Sequence, residues 1–348
     1  MSVPSLCALL LDPGALEATV MERGGRAFHA RILRREVLER GTLKYEAMTG
    51  LPDRLRESLS RDLPVLGLVE LARSPSKDGT CKLLLGLAEG EGSKAQSIET
   101  VHIPPLSRKA QSGATLCVST QVGCPVGCPF CASGKAGLVR NLRADEILEQ
   151  YLHGRALGAI ARSVVMGIGE PLLNFDALLA ALTIVHKEMG IGARKITVSS
   201  VGFPERVRRA ALARPPFQLA ISLHTAFDEE RAALVPAMAK TPIEEVLSAG
   251  DFWFETTGRE VTYEVVLLAG LNDTLQHAEE LGRRLAGRRA TVNLIPFNPV
   301  VDGDFQRPEG QRVDEFRELV ENAGVVARVR WSRGLESDAA CGQLRLRN

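Results

Sequence analysis

From residue 115 onward the sequence alternates between β-prone and helical runs, and this alternation constrains the fold more than any other feature. The β-prone runs lie at 115–119, 163–166, 195–199, 219–223, 261–268 and 291–295. The helical runs lie at 143–157, 176–189, 204–213, 243–255, 275–287 and 311–323. Strands separated by helices pair in parallel, so we predict an α/β fold. Six units are fewer than the eight of a closed barrel, which leaves an open partial barrel or a doubly wound sheet.

The preceding residues lack this alternation and predict accessory elements. Residues 15–62 have apolar side chains at helical spacing, which predicts a small helical domain. Residues 66–104 contain β-prone segments separated by glycines, which predicts a β-hairpin, and the polar residues 107–114 predict a linker. We therefore expect four parts, namely a helical domain (1–65), a hairpin with linker (66–110), the α/β core (111–330) and a C-terminal loop (331–348).

Composition and charge restrict the classes of protein. Hydrophobic residues make up 45% of the chain, enough for a buried core, yet no apolar stretch is long enough to span a bilayer. No basic residue precedes the short apolar run near the start, so we expect a cytoplasmic protein with no membrane partner. The net charge of +1 gives little support for a nucleic-acid partner. Seven cysteines, an odd number, argue against a disulfide framework and favour metal or redox roles.

Three of these cysteines form a compact motif just after the first β-prone run. Cys124, Cys128 and Cys131 bring three thiols into eight residues. Thiolates select zinc, copper(I) or iron–sulfur clusters, and a structural zinc site needs a fourth ligand that is not nearby in sequence. A four-iron cluster held by three thiolates would leave one iron free for a substrate. A zinc site completed by a distant residue and a group of buried cysteines without metal are the alternatives.

The run from Gly167 to Pro171 is the second candidate motif. Glycines allow the backbone to approach a ligand closely, and the carboxylate of Glu170 can accept a hydrogen bond from an ammonium group. The alternative is an ordinary turn between a strand and a helix.

The spacing of the cysteines, with Phe130 before the last of them, resembles the radical S-adenosylmethionine superfamily. This resemblance implies a partial (βα)6 barrel and a [4Fe-4S] cluster on Cys124, Cys128 and Cys131. It also implies that the free iron binds the amino and carboxylate groups of S-adenosylmethionine, and that electron transfer then yields a 5′-deoxyadenosyl radical. Glu170 resembles the residue that receives the methionine amino group.

Longer stretches narrow the resemblance to the RlmN/Cfr family of radical RNA methyltransferases. The stretches are 117–124, 169–174, 221–224, 293–299 and the tail around Cys341. The resemblance implies that one S-adenosylmethionine methylates Cys341 and that a second one, also consumed in each turnover, provides the radical that activates this methyl group. The activated carbon then joins the adenine ring, which links protein and RNA covalently.

The same resemblance assigns the remaining roles. Cys117 would attack the sulfur of Cys341 and leave a disulfide that must be reduced, while Glu99 would accept the ring proton. A lone cysteine can also be a small buried hydrophobe, and Glu99 could instead be a solvated hairpin residue. The expected S-adenosylmethionine ligands lie at the carboxyl ends of the β-prone runs, and His224 among them could also be a core histidine. They are Gly169, Glu170, Ser199, Ser222, Leu223, His224 and Asn298.

Family members differ in the carbon that they methylate. Pro171 and the segment 296–298 resemble the branch that acts on carbon 2 of an adenosine in large-subunit (23S) ribosomal RNA and in some transfer RNAs. The other branch acts on carbon 8. An electron donor of the flavodoxin or ferredoxin kind is implied in both, and we expect basic residues such as Arg34, Arg35 and the C-terminal arginines to contact RNA phosphates. A radical enzyme for a small molecule or peptide and a zinc-binding scaffold are the alternatives from other classes.

Overall fold

A curved sheet with helices on its outer side organises the protein. The computed structural model describes residues 5–87, 96–105, 113–300 and 303–345. The strands are β1 Val69–Pro75, β2 Cys81–Gly86, β3 Ser97–Ile103, β4 Ala114–Cys117, β5 Gln121–Gly123, β6 Leu138–Asn141, β7 Ile160–Val165, β8 Ile196–Ser200, β9 Gln218–Ser222, β10 Val261–Leu267, β11 Ala290–Pro296 and β12 Val326–Val329. The helices are α1 Leu6–Leu10, α2 Pro13–Glu22, α3 Ala27–Leu38, α4 Asp53–Ser60, α5 Ala144–Arg155, α6 Phe175–Lys187, α7 Pro204–Leu212, α8 Asp228–Leu234, α9 Ile243–Thr257, α10 Leu275–Leu285 and α11 Gly310–Asn322.

The parallel core follows the predicted order of strands and helices. Strands β4 and β7 to β12 pair in parallel in chain order, and helices connect each strand to the next. A doubly wound sheet reverses its strand order at a switch point, whereas this order never reverses. Side chains from distant strands, such as Thr115, Thr197 and Asn293, line one cavity, which requires the sheet to curl. The open partial barrel of six βα units is therefore confirmed, with β12 as an additional strand that was not predicted.

The predicted hairpin proves to be a three-stranded antiparallel extension of the same sheet. Strand β2 pairs with both β1 and β3, and β3 pairs antiparallel with β4. The side chains of β1 are mostly exposed, so its sequence lacks the apolar pattern that identifies a buried strand. The predicted linker lies largely outside the described residues, and its last residue, Ala114, already belongs to β4.

The N-terminal helices are present as predicted and pack onto the core. Leu6, Leu33 and Leu55 belong to the same hydrophobic cluster as the barrel strands. The buried carboxylate of Glu149 on α5 accepts hydrogen bonds from Ser5 Oγ at 2.9 Å and from two backbone N–H groups at 67 and 68. Burial raises the pKa of Glu149 to about 7. The boundaries of the four predicted parts remain predictions.

The arginines of the N-terminal helices are not equivalent. Arg34 is partly buried and binds the carboxylate of Glu188, the residue that follows α6, through two nitrogens, one of them at 2.7 Å. This contact attaches α3 to the barrel. Arg35, the next residue, is exposed. Among the arginines expected to contact RNA, Arg34 is therefore occupied within the protein.

None of the helices in the ranges that the structure describes combines the length and the apolar character needed to cross a membrane.

Candidate active site

The cysteine loop is held by a short hairpin. Strands β5 and β6 pair antiparallel on either side of it, and the N–H of Cys124 donates to the carbonyl of Gly137 at 3.0 Å. Gly123 has φ +78°, and a Cβ there would lie 1.9 Å from that same carbonyl oxygen. Only glycine fits this close approach. The hairpin therefore fixes the position of the Cys124 backbone at the start of the cysteine loop.

The three thiols of the loop line one side of a cavity of about 160 Å³. Burial raises the pKa of Cys124 to about 12, and the neighbouring Cys131 and Glu170 add to this effect. The pKa of Cys128 is raised by burial and by the other two cysteines. Neighbouring thiolates at a partly buried site are costly without a cation, because each charge opposes the others. Such a donor set fits a positively charged iron centre that neutralises the thiolates.

Within residues 5–87, 96–105, 113–300 and 303–345, no three His, Cys, Asp or Glu side chains are grouped so that they could hold a single metal ion.

Most of the expected S-adenosylmethionine ligands share this cavity with the cysteines. Six of the seven line it, namely Gly169, Glu170, Ser199, Ser222, His224 and Asn298. Leu223 does not, because its side chain is fully buried in the hydrophobic core. Its N–H donates instead to the carbonyl of Glu264 at 2.9 Å. The strand ends thus bring together groups that are far apart in the chain.

Glu170 is buried and fixed by the backbone around it. One carboxylate oxygen accepts from the N–H of Leu172 at 3.0 Å, and the other accepts from the N–H of Val201 at 2.9 Å. Burial raises its pKa. The two carboxylate oxygens together have four acceptor positions, so the group retains capacity for a further donor such as an ammonium group. Gly169 has φ +112°, and a Cβ there would lie 2.7 Å from the side chain of Gln121.

The position of His224 is compatible with both interpretations that the sequence left open. It is buried, and it also lines the cavity, where its ring meets that of Phe130 edge-on at 4.8 Å. Its Nδ1 accepts from the N–H of Val266 at 3.3 Å, so the proton of the neutral ring lies on Nε2. Burial and the charge of Arg231 lower its pKa to about 3. Its φ of +66°, unusual outside glycine, turns the chain at the end of β9.

Glu264 is a buried carboxylate of the site that the sequence analysis missed. Ser199 Oγ donates to it at 3.1 Å, and burial raises its pKa. It lines the cysteine cavity and a neighbouring larger cavity. Glu264 is the one charged residue within β10, and a lone charge in an apolar strand was the available signal.

The tail that carries Cys341 is docked against the cysteine loop. The N–H of Ala132, next to Cys131, donates to the carbonyl of Gly342 at 2.8 Å. Ser133 Oγ donates to the carbonyl of Leu344 at 2.6 Å. Asn298 Nδ2 donates to the carbonyl of Cys341 itself at 3.0 Å. These contacts hold Cys341 beside the three cysteines of the loop.

Cys341 also faces Cys117 across the larger cavity of about 460 Å³. Burial and the nearby Cys341 raise the pKa of the Cys117 thiol. The side chain of Cys341 is open to the two cavities but is surrounded by protein, which raises its pKa to about 12, with a contribution from Glu264. All seven cysteines are free thiols in this structure, so the expected Cys117–Cys341 disulfide is not present in it.

Glu99 is fully buried on β3, which contradicts the alternative of a solvated hairpin residue. Its Oε1 lies 3.1 Å from Lys82 Nζ, and its Oε2 accepts from the N–H of Arg345 at 2.9 Å. The carboxylate therefore lies directly beside the tail that carries Cys341.

The larger cavity has a cationic lining. Its basic residues come from strands and connections on several sides, and the exposed aromatic ring of Trp331 lies among them. They are Arg162, Arg194, Lys195, Arg330 and Arg333. Guanidinium groups and an exposed aromatic ring are the groups that bind phosphates and unstacked bases.

Comparisons with known proteins agree with this geometry. Residues 118–282 match the model of the Radical SAM superfamily. The "Probable dual-specificity RNA methyltransferase RlmN" of Prochlorococcus marinus (strain MIT 9303) is 43% identical over 95% of this chain and 92% of that protein. The protein with the same name from Rhodopirellula baltica is 41% identical over 95% of this chain and 88% of its own length. The chain belongs to the RlmN family.

A solved structure shows the same fold over nearly the whole chain. A radical SAM methyltransferase from Sphaerobacter thermophilus has a TM-score of 0.86 and 38% identity, over 95% of this chain and 97% of the other. As a member of the RlmN family, the chain is an S-adenosylmethionine-dependent methyltransferase, and the superfamily implies a [4Fe-4S] cluster. The three-thiol loop is the part of this RlmN-family chain whose donor set fits such a cluster.

Proposed function

We propose that this enzyme methylates carbon 2 of an adenosine in 23S ribosomal RNA, and of an adenosine in transfer RNA, by way of a methylated Cys341. The observation that carries the proposal is the position of Cys341, which lines both cavities. On one side it faces the three-thiol loop and the expected S-adenosylmethionine ligands. On the other side it faces Cys117 and the cationic lining.

In this proposal Cys124, Cys128 and Cys131 hold the cluster, and Gly169, Glu170 and the polar strand ends hold S-adenosylmethionine. When bound, the cluster supplies the electron that cleaves S-adenosylmethionine to a hydrogen-abstracting radical. Glu170 suits the methionine ammonium because its buried carboxylate is already oriented by two backbone N–H groups. Ser199 and Ser222, 3.2 Å apart, present hydroxyl groups to the same cavity.

Cys341 acts first as a methyl acceptor. Its thiol loses a proton, the sulfur bonds to the methyl carbon of one S-adenosylmethionine, and S-adenosylhomocysteine leaves. A second S-adenosylmethionine in the same turnover yields the radical that removes one hydrogen from this methyl group. Cys341 then holds the reactive carbon at the boundary of the larger cavity, where the adenine ring would bind.

Cys117 and Glu99 complete the reaction. The ring adduct loses one electron, which the oxidised cluster would take up when bound, and Glu99 accepts the proton of the ring carbon. The thiolate of Cys117 then attacks the sulfur of Cys341 and forms a sulfur–sulfur bond. The electron pair of the broken carbon–sulfur bond stays on the transferred carbon, which takes up a proton and becomes the methyl group. The shared cavity and the raised pKa of Cys117, which comes from burial and from the nearby Cys341, support this pairing. A Cys117–Cys341 disulfide results, and an external reductant returns it to two thiols.

RNA as the substrate is supported by three observations. The larger cavity has a cationic lining with Trp331 at its surface. The relatives are named dual-specificity RNA methyltransferases. Pro171 and the segment 296–298 resemble the branch that acts on carbon 2. We further propose an electron donor of the flavodoxin or ferredoxin kind and a cytoplasmic location, where ribosomal and transfer RNA are found together.

The test is the position of the methyl group in RNA. Purified enzyme with reconstituted cluster is incubated anoxically with ribosomal or transfer RNA, S-adenosylmethionine and a reductant, and methyladenosine isomers are separated by mass spectrometry. We expect 2-methyladenosine with the wild type and none with Cys341→Ala. Exclusive formation of 8-methyladenosine would overturn the assignment of carbon 2. RNA that remains unmodified would overturn the proposal that RNA is the substrate.

A second variant tests the resolving thiol. Cys117→Ala should leave RNA attached to the protein, because the carbon–sulfur bond to Cys341 cannot be broken by the missing thiol. The adduct is detected by intact mass as protein that carries RNA. Nuclease treatment should reduce the added mass to that of a nucleotide. Free methylated RNA at the wild-type rate from this variant would contradict the role of Cys117.

A further inference from the structure

A buried lysine next to Glu99 has no role in the steps above. Lys82 lies on β2 and is 2% exposed, although lysines are rarely buried without a partner. Its ammonium group lies 3.1 Å from Glu99 Oε1, in an ion pair from which water is nearly excluded. A charge in such a place is costly unless it is held by several partners.

The second partner of Lys82 belongs to the C-terminal tail. Lys82 Nζ donates to the carbonyl of Asp338 at 2.9 Å. An ammonium group has three donors, so one lysine can bind the carboxylate and the carbonyl together. Asp338 has φ +51°, and this turn directs the chain into the segment that carries Cys341.

The opposite end of that segment binds the other member of the ion pair. The N–H of Arg345 donates to Glu99 Oε2 at 2.9 Å. The tail from Asp338 to Arg345 is thus attached at its first residue to Lys82 and at its last residue to Glu99, with Cys341 between them. The side chains of Asp338 and Arg345 also approach each other to 3.8 Å.

We infer that Lys82 is a positioning residue, whose buried ammonium fixes both the proposed base Glu99 and the loop that presents Cys341. The inference rests on the proposed function for the roles of these two residues. Lys82 lines neither of the two cavities described above, so it acts through its partners and not on S-adenosylmethionine or RNA. One ion pair therefore sets the position of the methyl carrier and of the proton acceptor relative to each other.

The first experiment measures methylation of Cys341, which requires no RNA. Lys82→Met removes the charge and keeps an unbranched side chain that is one atom shorter. With reconstituted enzyme and S-adenosylmethionine, the gain of one methyl group is followed by intact mass. We expect the maximal rate to fall at least about tenfold, because small displacements of a reacting group are costly. The KM for S-adenosylmethionine should change by less than about twofold, because its cavity is not touched.

Two further variants give the comparison its control. Lys82→Arg should recover part of the lost rate, since a guanidinium can also bind a carboxylate and a carbonyl. Lys77 pairs with Glu336 of the same tail at 3.0 Å, but both side chains are well exposed. Lys77→Met therefore removes a tail ion pair of the ordinary surface kind, and it should methylate at the wild-type rate. An equal loss in the Lys77 and Lys82 variants would overturn the inference.

The second experiment observes the tail directly. Amide hydrogen exchange of residues 335–345 should be faster in Lys82→Met than in the wild type, while the barrel strands exchange as before. If Lys82→Met fails to fold, Lys82→Met combined with Glu99→Gln replaces it, because this pair leaves no unpaired buried charge. Faster tail exchange is expected there too, and unchanged exchange would overturn the inference.

These outcomes separate the inference from the proposed function. A wild-type chain whose Cys341 gains no methyl group would overturn the proposed function. A Lys82→Met chain that methylates Cys341 at the wild-type rate, with an unchanged tail, would overturn the inference and leave the proposed function intact.

Discussion

Gly123→Ala tests whether the hairpin determines the geometry of the cysteine loop. The added methyl group would lie 1.9 Å from the carbonyl oxygen of Gly137, so the two strands would have to separate by about 1 Å or more. That carbonyl also accepts the hydrogen bond from the N–H of Cys124, which such a separation would break. The substitution therefore acts directly on the first cysteine of the loop.

The expected cost has two parts. A residue with a side chain at φ +78° costs roughly 1–2 kcal/mol, because its Cβ crowds the following carbonyl. The loss of the hydrogen bond to Gly137 adds about 1 kcal/mol. Gly127→Ala is the matched control, because Gly127 lies in the same loop with φ +75° but nothing lies within 4 Å of an added Cβ. Gly127→Ala should therefore lower the free energy of unfolding only by the conformational part of this cost.

The assay combines stability with cluster loading. Urea unfolding should show Gly123→Ala to be less stable than Gly127→Ala by about 1 kcal/mol, the part of the cost that comes from the lost hydrogen bond. Iron and sulfide bound per chain after anoxic reconstitution should fall to less than about half of the wild-type value for Gly123→Ala, because binding requires a formed site. Equal stability and equal iron content in the two variants would refute the reasoning from the 1.9 Å approach.

Three further predictions follow from the structure. Burial raises the pKa of Glu149 from 4.5 to about 7, so the folded state binds the proton of this carboxyl more tightly than the unfolded state does. The free energy of unfolding should therefore fall by roughly 3 kcal/mol as the pH rises from 4.5 to 7. Urea unfolding of Glu149→Gln should show no such contribution to the pH dependence. Arg34→Ala should lower the free energy of unfolding by about 1 kcal/mol or less and leave the salt dependence of RNA binding unchanged. Arg35 is exposed, so Arg35→Ala should reduce the slope of the logarithm of RNA affinity against the logarithm of salt concentration by about one if α3 contacts phosphates. Trp331→Ala should weaken RNA binding about tenfold in a filter assay, because a base can stack on its exposed ring; unchanged affinity would exclude such stacking.

Much of the fold could be predicted because its signals are local. Each of the six predicted core strands matches an observed strand to within three residues at each end, because the apolar pattern of four to eight residues reports burial directly. The exposed edge strand β1 and the short strands β5, β6 and β12 were missed. Their side chains are largely exposed or their pairing spans only three or four residues, so period-two burial leaves little trace in them.

The candidate site divides in the same way. The three cysteines were recognisable because their spacing along the chain keeps them close in any fold. Glu99 was identified only through a resemblance. It is buried because it lies on β3, within a three-stranded extension where the sequence predicted only a hairpin. Lys82 and Glu264 were missed, although each is a lone charge in an apolar strand. A lone charge shows that a partner must exist, but it does not show which residue the partner is.

The sequence by itself therefore determined the βα alternation and the thiol-rich loop, because both depend on residues that are neighbours along the chain. Only the tertiary structure decided that Cys117 and Cys341 share a cavity, that Arg34 binds Glu188, and that the tail is attached to Lys82 and Glu99. These contacts join segments that are distant in sequence. They exist because the register of the sheet and the docking of the tail bring those segments together, and no local pattern encodes either one.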